Sequence, residues 1–276
     1  MASSVTSISQ SAPSLSSNDS AVLQALFDAE SKPSTGVKIT PSLTTLPHIS
    51  PSSLSHLQAL ELSAIQLLES TPTSSLTRET IETAISKLSS IITNEPKYAS
   101  AYVNRAQALR MLIDFEKQQQ QQQEERVDSS VVPQPSSETS TSTSTAQIFA
   151  DLSQAITLLS HPAQTGISSL HARILANAYT HRAYLLYKAA RSSSSPSSSS
   201  SSSTTTPPQA DLPTHLQTLP AEKLEDMASW DFQAGGRYGN DVARQMGVQT
   251  NPYAKMCGAI VREAMRKDIE EWRGFV

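Results

Sequence analysis

Residues 99–109 read Ala-Ser-Ala-Tyr-Val-Asn-Arg-Ala-Gln-Ala-Leu, and residues 177–183 read Asn-Ala-Tyr-Thr-His-Arg-Ala. The second stretch restates 100–106: Ala101, Tyr102, Arg105 and Ala106 reappear in register as Ala178, Tyr179, Arg182 and Ala183. An echo of this kind is the mark of stacked units that cannot bury an apolar face alone. Upstream, Ala84, Leu88, Ile91 and Pro96 follow one another at spacings of four, three and five; Ala228, Phe232 and Gly235 repeat the first two. The spacing has a packing reason. Small residues (Ala64, Ala106, Ala183) let two helices approach, and large ones (Tyr102, Tyr179, Leu88, Phe232) fill the gap between pairs. Tyr102 and Tyr179 are therefore expected to be buried between units.

Outward from this repeat, the pattern is helical throughout. Leu54 to Leu68, Thr77 to Thr93, Tyr98 to Phe115, Ile148 to Leu159, Ser169 to Ala190, Glu222 to Ala234 and Asp241 to Met246 place apolar residues at helical spacing. Thr77 is a weak N-cap, and Asn94-Glu95-Pro96 stops the helix that follows it. The last segment is the clearest. Asn251 caps it, Pro252 takes its first position, and Tyr253, Met256/Cys257, Ile260/Val261, Ala264/Met265, Ile269 and Trp272 form one face. No alternating β-rich run appears, so the fold class is all-α.

Three stretches are too polar and repetitive to offset the entropy of ordering. They are the tail 1–17, the Gln/Ser/Thr tract 117–145 and the Ser/Thr/Pro tract 192–218. The glutamines Gln118–Gln123 can extend the preceding helix by a turn or two. The organisation expected is a disordered tail (1–17), then a short helix and linker (18–53), with Val22, Leu23, Leu26 and Phe27 on the helix face and Pro41 and Pro47 in the linker. Three units follow: 54–98, 99–162 with insertion 117–145, and 163–240 with insertion 192–218. Capping helices occupy 241–276 and close the stack as a lid.

These residues resemble the tetratricopeptide repeat, with Tyr102 at its large aromatic position, Ala106 at its small one and Leu109 at the next core position. The resemblance extends to the tetratricopeptide repeat protein 36 family, of which the chain looks like a fungal-type long member. Asn18-Asp19-x-Ala21-Val22-Leu23-Gln24-Ala25-Leu26-Phe27, Ala59-Leu60-Glu61-Leu62, Ala99–Ala108 and Asn251-Pro252-Tyr253-Ala254-x-x-Cys257 occur in that family's order. The match covers about two thirds of the chain. The two low-complexity insertions are the departures, each turning a short turn into a loop of about thirty residues at ~2 kcal/mol of closure entropy. The resemblance implies three helix pairs in a short right-handed superhelix, a chaperone-associated or client-stabilising role, and a link to tyrosine breakdown.

Composition excludes other classes. The net charge is -4, with mixed signs, which leaves no electrostatic footprint for nucleic acid. Cys257 is the single cysteine, so no disulfide framework and no thiolate-rich zinc site can form. No apolar run approaches the ~20 residues that span a bilayer. Met1 to Ser17 carries no Lys or Arg, unlike a secretory or transit peptide, and Asn18-Asp19-Ser20 reads as a chance sequon. The expectation is an intracellular protein, cytoplasmic, with the nucleus also open to it.

Enzyme chemistry finds no footing. Gly235-Gly236-Arg237-Tyr238-Gly239 lacks the strand and the Gly-Lys-Ser/Thr of a phosphate loop, so Gly235 reads as a helix contact and Gly239 as a C-cap. Cys257, beside Met256 and Ile260, reads as inert core rather than as a nucleophile served by His161, His171 or His181. His171 and His181 are too far apart along one helix to share a metal. Glu61, Glu69, Glu79 and Glu82 form no catalytic pair. No catalytic residue, metal or cofactor is expected.

The repeat's concave face is the candidate binding surface. Its positions fall on Glu61 and Ile65, on Ser100, Val103, Asn104 and Gln107, and on Asn177, Thr180, His181, Tyr184 and Lys188. A protein or peptide partner is expected there. Chaperone-binding relatives of the wider class hold a Glu-Glu-Val-Asp tail through a two-carboxylate clamp of Lys and Asn residues and an Arg. Here Asn104 matches, whereas Glu61, Ile65, Asn177 and His181 do not, so any chaperone partner would bind by other chemistry. Asn104 is then read as bonding backbone. The resulting reading is a non-catalytic adaptor or scaffold. The alternatives are a regulator of a metabolic enzyme's stability, or a pH- or redox-responsive regulator using His181 and Cys257.

Overall fold

A computed structural model describes residues 37–69, 76–126, 138–160, 166–194 and 212–274. All of them belong to the unit that begins at Val37. The tail 1–17 and the short helix from Asn18 lie outside the described residues, as does His161. The helices are α1 (Pro51–Glu69), α2 (Arg78–Asn94), α3 (Ala99–Arg126), α4 (Glu138–Leu159), α5 (Ser169–Ser194), α6 (Thr214–Gln217), α7 (Ala221–Arg237), α8 (Asp241–Gln249) and α9 (Pro252–Gly274). The chain is all-α; among the described residues extended pairing is limited to one bridge between Ile39 and Ile167.

Local chemistry sets the helix ends. Thr77 caps α2 by accepting from the Thr80 N–H at 3.2 Å, Asn240 caps α8 through Ala243 N–H at 2.9 Å, and Asn251 accepts from Tyr253 N–H at 3.0 Å. At the end of α7, Gly239 adopts φ +100. Its N–H donates to Gly236 O at 3.1 Å, and Asn240 N–H donates to Gly235 O at 3.2 Å. This is the Schellman pattern, and glycine carries it without steric cost.

Helices adjacent in the chain pack on one another: α1 on α2, α2 on α3, α3 on α4, α4 on α5, then α5 on α7 and α7 on α8. The small residues stand where the spacing places them, with Ala64, Ala106 and Ala183 each 0% exposed. Ala84, Leu88, Ile91, Ala228 and Phe232 are buried as well. Gly235 is a helix contact: a Cβ there would stand 2.7 Å from Thr180 Oγ1 and 3.1 Å from the Ala243 Cβ. One apolar cluster runs from Leu46 through α1–α4 to Ala178, and a second joins Phe149, Ala183 and Leu186 to Leu212, Leu224 and Phe232.

Several expectations are corrected. The linker before Pro51 is packed, with Leu46 and Ile49 buried and Thr40 N–H donating to Ile167 O at 2.8 Å. Helix reaches into both sides of the expected 117–145 insertion, since α3 runs to Arg126 and α4 starts at Glu138. Once a helix is nucleated, each added residue costs little, even in Gln- or Ser/Thr-rich sequence. In the 192–218 tract, α5 runs to Ser194, Leu212 and Leu216 are buried, and Gln217 Nε2 donates to Leu212 O at 2.6 Å. Leu212 and Leu216 both enter the second apolar cluster, and burying their side chains offsets the cost of ordering that end. Tyr102 and Tyr179 are half-buried rather than buried. The tyrosine that is fully enclosed is Tyr98, 0% exposed. Finally, α9 forms as expected, but among the described residues its apolar face is not covered: Tyr253, Ile260, Met265 and Trp272 are all exposed. Cys257 on it is exposed, not core.

Candidate functional site

The echoed arginines form the best-defined polar structure. Arg105 of α3 grips Asp151 of α4 bidentately, Nε to Oδ2 at 2.8 Å and Nη2 to Oδ1 at 2.6 Å. Its remaining Nη1 donates to Ser89 Oγ of α2 at 3.2 Å. Arg182 of α5 does the same to Asp231 of α7, at 2.7 and 2.8 Å, and donates to Ser153 Oγ of α4 at 3.3 Å. Each guanidinium also lies over the tyrosine three residues before it, Tyr102 or Tyr179, at 5.8 and 5.7 Å. A planar fork meeting a carboxylate in partly dry surroundings is the geometry arginine supports best. Each ion pair therefore ties two packed helices together, α3 to α4 and α5 to α7, and the serine bond reaches back to the helix before them, α2 or α4. Tyr179 in addition stacks on Tyr238, with centroids 6.0 Å apart.

The first helix carries different chemistry. Glu61, 8% exposed, accepts from Tyr98 Oη at 2.6 Å and from Asn104 Nδ2 at 2.5 Å. Asn104 thus bonds a side chain, not backbone. Burial, then the Glu61 carboxylate, pushes the Tyr98 phenol far above its ordinary range. Glu61 and Asn104 are tied to each other.

The remaining groove candidates divide by exposure. Val103 is buried, and Thr180 spends its hydroxyl on Ala176 O at 2.6 Å. Ile65, Ser100 and His181 are half-buried, while Gln107, Asn177, Tyr184 and Lys188 are exposed. Tyr184 and Lys188 are brought together at a pocket between α3, α4 and α5, whose rim also holds Arg110, Asp114 and Lys117. The Arg110 guanidinium lies 5.7 Å from the Tyr184 ring centre. Its Nε and the neighbouring His181 Nε2 are buried with no hydrogen-bond partner. Burial first and Arg110 second pull the His181 imidazole down to about 4, so it is uncharged near neutrality. His171 is structural, its Nε2 2.8 Å from Leu159 O.

No protein-family model matches the chain, and neither does a solved structure. The L-tyrosine degradation gene cluster protein hmgX of Aspergillus fumigatus is 48% identical over 271 residues, spanning 96% of this chain and 97% of that protein. The chain belongs to the hmgX family. None of the described helices is long and apolar enough to cross a membrane.

Sequence reasoning missed Asp151 and Asp231, although the signal was there. Each is an acid set into the apolar face of a helix, directly before Leu152 or Phe232, and a buried acid calls for a cation. Arg110, Asp114 and Lys117 carry no such signal, because charged residues four and three apart on a helix read as a solvated face.

Proposed function

We propose that this protein is a non-catalytic adaptor that supports an enzyme of L-tyrosine degradation, as a regulator of that enzyme's stability. In this reading α1–α2, α3–α4 and α5–α7 are three tetratricopeptide helix pairs in a short right-handed superhelix. Gln107, Asn177, Tyr184 and Lys188 offer the partner an exposed concave face. The observation that carries the reading is the recurrence of one Arg–Asp–Ser arrangement a helix pair later. Such repetition belongs to stacked units that present a surface, not to a catalytic constellation. The role of the hmgX relative's gene cluster supplies the pathway. A chaperone partner is compatible with this reading, though not through a two-carboxylate clamp, because Glu61 is committed to Tyr98 and Asn104. In this reading the protein acts in the cytoplasm, with the nucleus also open to it.

The test is affinity purification of the full chain beside a Gln107→Ala, Asn177→Ala, Tyr184→Ala triple variant of unchanged melting temperature. The expected result is an enzyme of tyrosine breakdown recovered with the parent and lost with the variant. Turnover of a tyrosine-derived intermediate by the purified chain alone would overturn the reading.

A further inference from the structure

We infer that the pocket between α3, α4 and α5 binds a small aryl carboxylate. This inference concerns a free ligand and not a protein partner, although the pocket shares Tyr184 and Lys188 with the exposed face of the adaptor reading. The chemistry of the pocket is two-sided. Its floor is apolar, formed by Ile113, Ile148, Phe149 and Leu185. Its rim carries the cationic side chains Arg110 and Lys188, with Lys117 and the Asp114 carboxylate beside them. A floor that takes an aromatic ring below a rim that takes a negative charge is the usual layout of a small-molecule site: apolar lining, few convergent polar groups.

Arg110 is the informative residue. The two other half-buried arginines, Arg105 and Arg182, are each matched by a bidentate carboxylate. Among the described residues Arg110 meets no carboxylate at all. It lies over Tyr184, and its Nε is buried and unsatisfied. A half-buried guanidinium without an anion is costly, and proteins leave few polar groups in that state without a reason. A ligand carboxylate at the rim supplies the missing charge. The ring of the same ligand covers Phe149 and Leu185, and its acid group lies between Arg110 on α3 and Lys188 on α5. A zwitterionic amino acid fits less well, because its ammonium would face the same cations.

The experiment uses the full chain and isothermal titration calorimetry with 4-hydroxyphenylacetate. Its alcohol analogue, 4-hydroxyphenethyl alcohol, and L-tyrosine serve as comparison probes. The acid is expected to saturate the protein with Kd below about 1 mM, and each comparison probe to bind at least about tenfold more weakly. Arg110→Gln should weaken acid binding about tenfold. Lys188→Gln, on an exposed side chain, should weaken it about threefold with unchanged helical circular dichroism, which keeps the test valid if the Arg110 variant fails to fold. Equal affinity for acid and alcohol would overturn the inference. So would the absence of saturation by the acid at ten times that Kd, or unchanged affinity in Lys188→Gln together with a folded Arg110→Gln.

Discussion

The body of the protein and its last helix are built on the same kind of sequence pattern and end in opposite states. In α3–α4 and α5–α7, the apolar stripes meet: Leu109, Leu152, Leu186 and Phe232 are all buried. In α9 the stripe is just as regular, yet Tyr253 and Trp272 are each 72% exposed. The polar sides differ as well. The body sets its charges inward as cross-helix pairs, with the Asp151 side chain 2% exposed. In α9 they stay outside and local, where Arg266 bonds Glu263 and Glu270 of its own helix. An amphipathic stripe states that a helix has a face to bury. It does not state which surface will meet it.

That contrast breaks most readily at the arginine pairs. Asp151→Ala leaves Arg105 half-buried and unpaired, and should cost about 3–5 kcal/mol in chemical denaturation. Asp231→Ala should cost less, about 2–3 kcal/mol, because Arg182 and Asp231 are 24% and 11% exposed against 15% and 2% for the Arg105 pair. Equal losses would mean that burial does not grade the two units.

Next in size is Gly235→Ala. Its new Cβ would crowd Thr180 Oγ1 at 2.7 Å and Ala176 O at 3.3 Å, for an expected loss of about 1–3 kcal/mol. A neutral result would show that α5 and α7 separate easily at this point.

A pH series sharpens the comparison further. The folded-state His181 stays uncharged down to about 4, whereas in the unfolded chain histidine protonates near ~6.5. Between those values the unfolded state holds more protons, so this group's contribution lowers stability as pH falls from about 6.5 towards about 4. His181→Gln should flatten that part of the urea-midpoint profile. A profile identical to the parent's would place the acid sensitivity elsewhere.

The smallest effect is expected from removing α9. A chain ending at Asn251 should keep its unfolding free energy within about 0.5 kcal/mol of the full protein's in chemical denaturation, as for changes away from packed features. A large loss would show that the apolar face of α9 is covered in solution.

Much of the body was legible in order of residues alone. The small positions Ala64, Ala106 and Ala183, the caps at Thr77 and Asn251, and the Gly239 stop are local facts, set by helix periodicity and by the hydrogen bonds a terminus must find. Tertiary structure decided what depends on residues far apart in the chain. It turned Glu61 from a groove charge into the acceptor of Tyr98 and Asn104, 37 and 43 residues away. It joined Arg105 to Asp151 across 46 residues and Arg182 to Asp231 across 49. It also packed Leu46 and Leu212, and among the described residues it left Arg110 without a carboxylate and the apolar face of α9 exposed. The physical reason is range: periodicity and capping act within a turn or two, whereas the partner of a buried charge or an apolar stripe is chosen only when distant helices come into contact.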